Sequence, residues 1–148
     1  MLRGRDLDRL TADHLLIATS AAQLAAGCAG LAIALRRRYA YDWLFLQGDP
    51  TRLRLEASTL GTGLSAPPTM VLAQVAATVS LARRRHPGAA RVTLGALGAL
   101  MVPGYLGERV VRRLLSHNGW QPVESPVACA GLLLAALMPV LAWRASSL

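Results

Sequence analysis

Two glutamates, Glu56 and Glu108, are the residues of this sequence whose type and position could support chemistry. Each carboxylate stands at the edge of an apolar stretch. An ionisable group at such a position is costly unless it is paired, and it can bind a ligand or carry a proton. Both glutamates are therefore candidate site residues, and each also has a structural interpretation.

Glu108 lies near the end of the third apolar stretch. In a continuous helix it stands one turn before Arg112, and this spacing favours an (i, i+4) ion pair. The structural interpretation is an interfacial salt bridge, since exposed pairs of this kind are common and individually weak. The alternative is that Glu108 handles a ligand or a proton beside Arg109.

Glu56 lies where the second helix is predicted to begin, and a carboxylate there suits the positive end of the helix dipole. The functional alternative depends on residues 58–65, which are rich in small and hydroxylated side chains and run into prolines at 67–68. A broken helix at membrane depth exposes backbone groups that a ligand can use. This alternative predicts a ligand site that includes Glu56, Ser58 and Ser65.

No other pattern indicates enzymatic chemistry. The histidines and cysteines are scattered along the chain, at His14, His86, His117, Cys28 and Cys129. Their spacing matches no metal-binding pattern, so we predict no metal site. The phosphate-binding loop, the GxSxG elbow, the dinucleotide fingerprint and the CxxC motif are missing as well. We predict no cofactor, and a non-enzymatic protein is favoured over an enzyme.

The apolar residues are bunched into long stretches that arginines separate. Hydrophobic residues make up 53% of the 148 positions, and the mean hydropathy is +0.38. A helix needs about 20 apolar residues to cross the hydrocarbon of a bilayer. Four such spans are predicted, at about 15–35, 58–82, 91–110 and 126–143. The sequence therefore predicts an all-α membrane protein, a single domain over residues 1–148 that forms a four-transmembrane-helix bundle.

The second of these spans is predicted to be broken by proline. Residues 70–82 are too few to cross by themselves, so the span must begin near Leu64 or as early as Glu56. Pro67 and Pro68 then lie inside the span. Because proline removes a backbone donor and clashes with the preceding turn, the helix should be kinked or broken there.

Two features predict how the helices pack. Gln23 and Gln74 are the only amides well inside the first and second spans, and a hydrogen bond between them would hold the two helices together. Small residues also recur every four positions along the first span, at 18, 22, 26, 30 and 34. Such a stripe offers a face on which another helix can pack closely.

The net charge of +8 comes from sixteen basic residues, all of them arginine. These arginines flank the apolar spans, where each gains roughly 1 kcal/mol beside anionic headgroups. We therefore predict membrane lipids as partners and no nucleic acid. The exclusive use of arginine, with abundant alanine, leucine and glycine, indicates a GC-rich bacterial genome. The expected location is the bacterial plasma membrane, which the chain crosses several times.

Several motifs resemble a pattern found in small four-helix membrane proteins of actinobacterial type. They are GTGLSAPPT at 61–69, GYLGER at 104–109, WQP at 120–122 and ESP at 124–126. In helix count and size the layout also resembles the DoxX-like group. The resemblance covers most of the chain and implies a four-helix membrane fold. It implies no catalytic residues, because the actinobacterial proteins have no assigned activity.

Three functional hypotheses follow. The leading one is a non-enzymatic membrane protein that binds a small apolar or lipid-like molecule, or a partner membrane protein, beside the broken second helix. The second is a small membrane enzyme or proton-coupled carrier that uses Glu108 or Glu56 and forms a dimer to enclose a path. The third is a structural accessory subunit of a membrane complex, which the small-residue stripe favours.

Overall fold

The computed structural model describes residues 4–37, 42–43, 46–47 and 66–148. Most of them belong to α-helices: α1 (Gly4–Arg37), α2 (Pro68–Ala82), α3 (Pro87–Gly107), α4 (Arg109–Leu115) and α5 (Glu124–Ser147). A 3₁₀ turn covers His117–Gly119. Two short strands, β1 (Asp42–Trp43) and β2 (Leu46–Gln47), pair antiparallel with Asp42 opposite Gln47. The described part of the chain is helical apart from this ribbon and the connections.

The four longest helices pack in a ring, in which each packs mainly against two others. The N-terminal helix α1 packs against α2 and α5, and α3 packs against the same two helices from the other side. The short helix α4 packs against the ends of α3 and α5. The prediction of an all-helical bundle is therefore confirmed for the residues that the structure describes.

Three of these helices are long and apolar enough to cross a membrane. They are Asp6–Arg37, Pro87–Gly107 and Glu124–Ser147, with mean hydropathies of 1.6, 1.3 and 2.0. This agrees with the predicted multi-pass membrane protein. The second helix, α2, is also apolar but has only 15 residues. At 1.5 Å per residue it reaches about 22 Å, less than the roughly 30 Å of the hydrocarbon.

The outer surface of the bundle is apolar. Leu72 on α2, Val92 on α3 and Leu133 on α5 are 69%, 68% and 64% exposed, whereas the amides of Gln23 and Gln74 are buried inside. A water-soluble domain rarely exposes a contiguous apolar patch larger than a few hundred Å². The pattern found here fits hydrocarbon as the surrounding solvent.

The helix α2 begins at its proline pair. Pro68 occupies the first helical position, where proline is well tolerated because the N–H there has no helical acceptor. The N–H groups of Met70 and Val71 both donate to the Pro67 carbonyl oxygen, at 3.0 and 3.1 Å. The prolines therefore start α2. The earlier part of the predicted second span, up to residue 65, lies outside the described residues, so a break within a longer helix stays a prediction.

The third helix ends sooner than we predicted. Helix α3 stops at Gly107, Glu108 is extended (φ −71°, ψ 124°), and α4 begins at Arg109. The predicted continuous helix is therefore interrupted at Glu108, which becomes the residue before the first turn of α4. Pro103 and the two glycines after it, Gly104 and Gly107, lower the helix propensity of this last turn.

Only the second half of the small-residue stripe on α1 packs inside the bundle. Gly30 and Ala34 are buried, whereas Ala18 and Ala22 are exposed. The reason is the period, since four residues turn about 40° more than a full circle of the helix. A stripe with a four-residue repeat therefore drifts around α1 instead of staying on one face.

Helices α3 and α5 approach each other closely at Gly98. A Cβ atom at this position would lie 2.6 Å from the carbonyl oxygen of Ala135 and 2.7 Å from Cβ of Met138. Pro139 has no N–H, so it cannot donate to Ala135 four residues earlier in α5. The freed carbonyl faces the Cα of Gly98, where a weak Cα–H···O contact is the available interaction. Glycine is thus required here for the two backbones to meet.

Candidate functional site

A cluster of buried polar side chains lies between α1 and α2, within the apolar bundle. Its centre is the amide of Gln74, which is fully buried. The Nε2 atom of Gln74 donates to Oε1 of Gln23 at 2.9 Å. The predicted hydrogen bond between these two amides is therefore confirmed, and it joins α1 to α2 where neither group reaches solvent.

The hydroxyl groups of Ser20 and Thr78 extend the cluster into a closed circuit of hydrogen bonds. Oγ of Ser20 lies 3.1 Å from Nε2 of Gln74, so the second amide proton is shared between this hydroxyl and the Ser20 backbone carbonyl at 3.2 Å. The hydroxyl of Thr78 donates to the backbone carbonyl of Gln74 at 2.7 Å. Because the Thr78 proton is used there, the 2.8 Å contact between the two hydroxyls must be donated by Ser20. Each hydroxyl proton in this circuit has an acceptor.

Helices α3 and α5 close the cluster on its other sides. The Tyr105 hydroxyl of α3 lies beside the Gln23 amide. On α5, Gly131 leaves room for that hydroxyl, since a Cβ there would lie 2.6 Å from it. Met138 of α5 places its sulfur 3.9 Å from Nε2 of Gln74. All four helices of the ring therefore contribute to the surroundings of the two amides.

The two amides of the cluster were predicted from the sequence, and its other members were not. Ser20 precedes Gln23 by three residues, and Thr78 follows Gln74 by four residues. Residues at these spacings share one face of a helix. Each of the two apolar spans therefore carries a pair of polar residues on one helix face, and this pattern could have predicted the cluster. Tyr105 had no such signal, because its role depends on how α3 packs against α1.

One atom of the cluster has no hydrogen-bond partner. Among the described residues, Oε1 of Gln74 is a buried oxygen without a donor. The orientation of the amide follows from its neighbours: its other end lies 3.2 Å from the backbone carbonyl oxygen of Ser20. That carbonyl can only accept, so the NH₂ group must face it and the oxygen must point away.

The chemistry open to this cluster is the binding of a neutral polar group. Its amides and hydroxyls donate and accept hydrogen bonds, but they do not exchange protons easily near neutral pH. No group of three His, Cys, Asp or Glu side chains that could hold a metal occurs in the described ranges. The cluster therefore has the composition of a recognition site.

Ion pairs lie at the two ends of the bundle. Near the start of α3, Arg91 donates two hydrogen bonds to the Asp13 carboxylate of α1, Nε to Oδ1 and Nη2 to Oδ2, both at 2.7 Å. At the other end of α1, Nε of Arg37 lies 3.1 Å from Oε1 of Glu124 on α5. Neither pair was predicted, because its members are distant in sequence.

The predicted site residues are distributed over different surroundings. Glu108 is buried at the junction of α3 and α4, and its carbonyl oxygen accepts the N–H of Arg112 at 3.1 Å. Arg109, the next residue, is exposed. The remaining predicted residues, Glu56, Ser58 and Ser65, lie outside the part of the chain that the structure describes. A site that combines all five stays a prediction.

Comparisons with the models of known protein families, with curated proteins and with solved structures find no match. The resemblance to actinobacterial four-helix proteins and to the DoxX-like group therefore stays a prediction.

Proposed function

We propose that this protein crosses the bacterial plasma membrane four times and binds a small lipid-like molecule inside its bundle, beside α2. The observation that carries the proposal is the buried polar cluster around Gln74. Polar side chains at membrane depth are costly and are typically functional. A cluster of neutral amides and hydroxyls suits a neutral amphiphile, whose apolar body can dissolve in the bilayer.

The outer face of α2 supports a fourth crossing. Leu72, Val75 and Val79 are exposed on this face, as Val92 is on α3. The short turn between Ala82 and Pro87 returns the chain, so that α2 runs back along α3. If α3 crosses the bilayer, its neighbour lies at the same depth. The outward leucine and valines are then in contact with lipid.

The position of the cluster favours a ligand that arrives from the bilayer. Gln74 belongs to the shortest helix of the ring, α2, which also buries the fewest side chains of these four helices, namely Gln74, Ala77 and Leu81. Because α2 is short and has few buried side chains, a small amphiphile can enter the bundle most easily beside this helix. The polar end of that molecule would then meet the amide of Gln74.

Copurification tests the proposal. The protein is extracted in a mild detergent and analysed by native mass spectrometry, and bound small molecules are identified after denaturation. We expect one lipid-like molecule per chain, retained through gel filtration. The matched control is Leu72→Ala, which changes only the outer face of α2 and should retain the molecule. A chain that carries nothing beyond exchangeable bulk phospholipid would contradict the proposal.

A second candidate, a partner helix in the membrane, is favoured by the outer face of α1. Its exposed positions between 18 and 32 carry small side chains, namely Ala18, Ala21, Ala22, Ala25, Cys28, Ala29 and Ala32. Other helices of the ring present leucine, valine and tryptophan outward. Small residues allow close approach of a second helix. An accessory subunit or a homo-oligomer would use this face.

Oxidative cross-linking in membranes tests this second candidate. A second copy packed on this face would give a disulfide-linked dimer through the exposed Cys28, and Cys28→Ala would abolish the dimer, whereas Cys129→Ala would not. A different subunit would appear instead as a stoichiometric protein after gentle extraction. If cross-linking and gentle extraction both show a monomer, the outer face of α1 contacts lipid and the second candidate is wrong.

A further inference from the structure

Within the proposed binding function, we infer that Oε1 of Gln74 is the atom that recognises the ligand, and that the ligand therefore carries a hydrogen-bond donor on an apolar body. The class comprises long-chain alcohols and related lipids with a free hydroxyl or N–H group. A hydrocarbon, an ether or an ester without a donor would not satisfy this oxygen. The inference rests on the proposed function and specifies its ligand.

The first step is that this oxygen needs a donor from outside the cluster. Gln74 is fully buried, and its oxygen has no partner among the described residues. The hydroxyl proton of Thr78 is used by the Gln74 backbone carbonyl, and that of Ser20 is used by Thr78. The neighbouring hydroxyls therefore have no proton left for it.

The second step is that a 180° flip of the Gln74 side-chain amide cannot provide the oxygen with a partner. If the amide were turned over, its oxygen would face the Ser20 carbonyl oxygen at 3.2 Å and the Gln23 carbonyl oxygen at 2.9 Å. Two acceptors at such distances repel each other. The present orientation keeps both of these hydrogen bonds, so the unpaired oxygen is a consequence of the packing of α1 against α2.

The third step concerns the solvent. The ring of helices encloses this oxygen, so it is hydrated only if a water molecule enters the bundle, and the hydrocarbon outside the ring supplies no donor. A buried acceptor without a partner lowers stability, so native structures rarely contain one. A donor that enters the bundle with an apolar body supplies the missing bond and also dissolves in the bilayer. A single trapped water molecule would supply the same bond, and the experiment has to distinguish the two.

The test compares two probes that differ only in the donor: cetyl alcohol and its methyl ether. Binding of each to the detergent-solubilised full chain is measured by native mass spectrometry. The loss of one hydrogen bond corresponds to about a ten-fold change in affinity. We therefore expect the wild-type protein to bind the alcohol about ten-fold more tightly than the ether.

Two variants assign the preference to a particular atom. Gln74→Met keeps the length of the side chain but has no amide oxygen, and it should bind both probes equally. Thr11→Val removes an exposed hydroxyl of α1 that bonds only the Leu7 carbonyl outside the cluster, so it should retain the preference for the alcohol. The thermal midpoint of each variant reports whether it is folded. If Gln74→Met proves unstable, the comparison of the two probes on the wild-type protein still decides whether the ligand needs a donor.

The outcomes separate this inference from the proposed function. Equal binding of both probes by the wild-type protein would overturn the inference and leave a lipid-binding protein. A preference for the alcohol that persists in Gln74→Met would overturn it too. If an ordered water is found on Oε1 of Gln74 and the alcohol binds no better than the ether, the partner of this oxygen is water only. If neither probe binds and no lipid copurifies, the proposed function itself fails.

Discussion

The Asp13 carboxylate of α1 and the Arg91 guanidinium of α3 face each other in a two-point ion pair, with both N···O distances at 2.7 Å. The two side chains are 14% and 11% exposed, so water screens the pair only weakly. Paired hydrogen bonds between a guanidinium and a carboxylate fix direction as well as distance. This contact therefore holds the first and third helices of the ring together at one end of the bundle.

Asp13→Asn should destabilise the folded protein strongly. The substitution leaves the partly buried Arg91 charge without its counter-charge, and the loss of one partner of such a hydrogen-bonded pair costs about 1–3 kcal/mol. Unfolding in mixed micelles of increasing SDS content measures the effect. The matched control is Asp8→Asn, an exposed carboxylate on the same helix, for which we expect a change below about 0.5 kcal/mol. Equal effects of the two substitutions would contradict this interpretation.

Gly98→Ala should destabilise the folded protein, because it pushes α3 away from α5. The new methyl group would lie 2.6 Å from the Ala135 carbonyl oxygen, and backbone atoms cannot turn aside as a flexible side chain can. Overpacking of this kind costs about 1–3 kcal/mol. The same unfolding measurement applies.

Gly104→Ala is the matched control for Gly98→Ala, because it lies on the same helix and has no atom within 4 Å of the added methyl group. Alanine is the better helix former, so this variant should be neutral or more stable by about 0.5–1 kcal/mol. The interpretation of a close α3–α5 contact fails if both alanine variants behave alike.

The hydrogen bond between Gln23 and Gln74 should appear as a coupling energy of about 1 kcal/mol. Single and double replacements by alanine form a double-mutant cycle, in which the coupling is the difference between the double change and the sum of the single changes. We expect the single Gln74 variant to be the more damaging one, since this amide also bonds Ser20. Additive effects would show that the 2.9 Å contact contributes nothing to stability.

Glu108→Gln distinguishes the hypothesis of a lipid-binding protein from the hypothesis of a proton-coupled carrier. Glutamine keeps the shape of the side chain and removes its proton exchange. A binding protein should retain its copurified ligand in this variant, and proteoliposomes should show no proton-coupled uptake of that ligand in either form. A proton-coupled carrier predicts uptake by the wild-type protein that Glu108→Gln abolishes. Loss of the bound ligand in the variant would place Glu108 in the binding site, as the sequence analysis suggested.

The solvent explains why the class of this protein could be read from its sequence. Hydrocarbon requires long uncharged stretches and helical hydrogen bonding in every span, and both requirements leave a pattern that does not depend on how the helices pack. For the same reason, an amide inside a span must find another polar group. The bond between Gln23 and Gln74 was predictable because few partners were available.

Tertiary structure decided everything that depends on which helix faces which. Asp13 and Arg91 are 78 positions apart, and nothing local to either residue indicates the other. The need for glycine at Gly98 follows from a carbonyl that Pro139 frees on another helix, and the role of Tyr105 follows from the space at Gly131. The unpaired oxygen of Gln74 depends on packing as well, since only the assembled ring excludes water and uses up the neighbouring donors. Hydropathy and spacing act along one helix, whereas the rotation and depth of each helix are settled by the contacts of all four together.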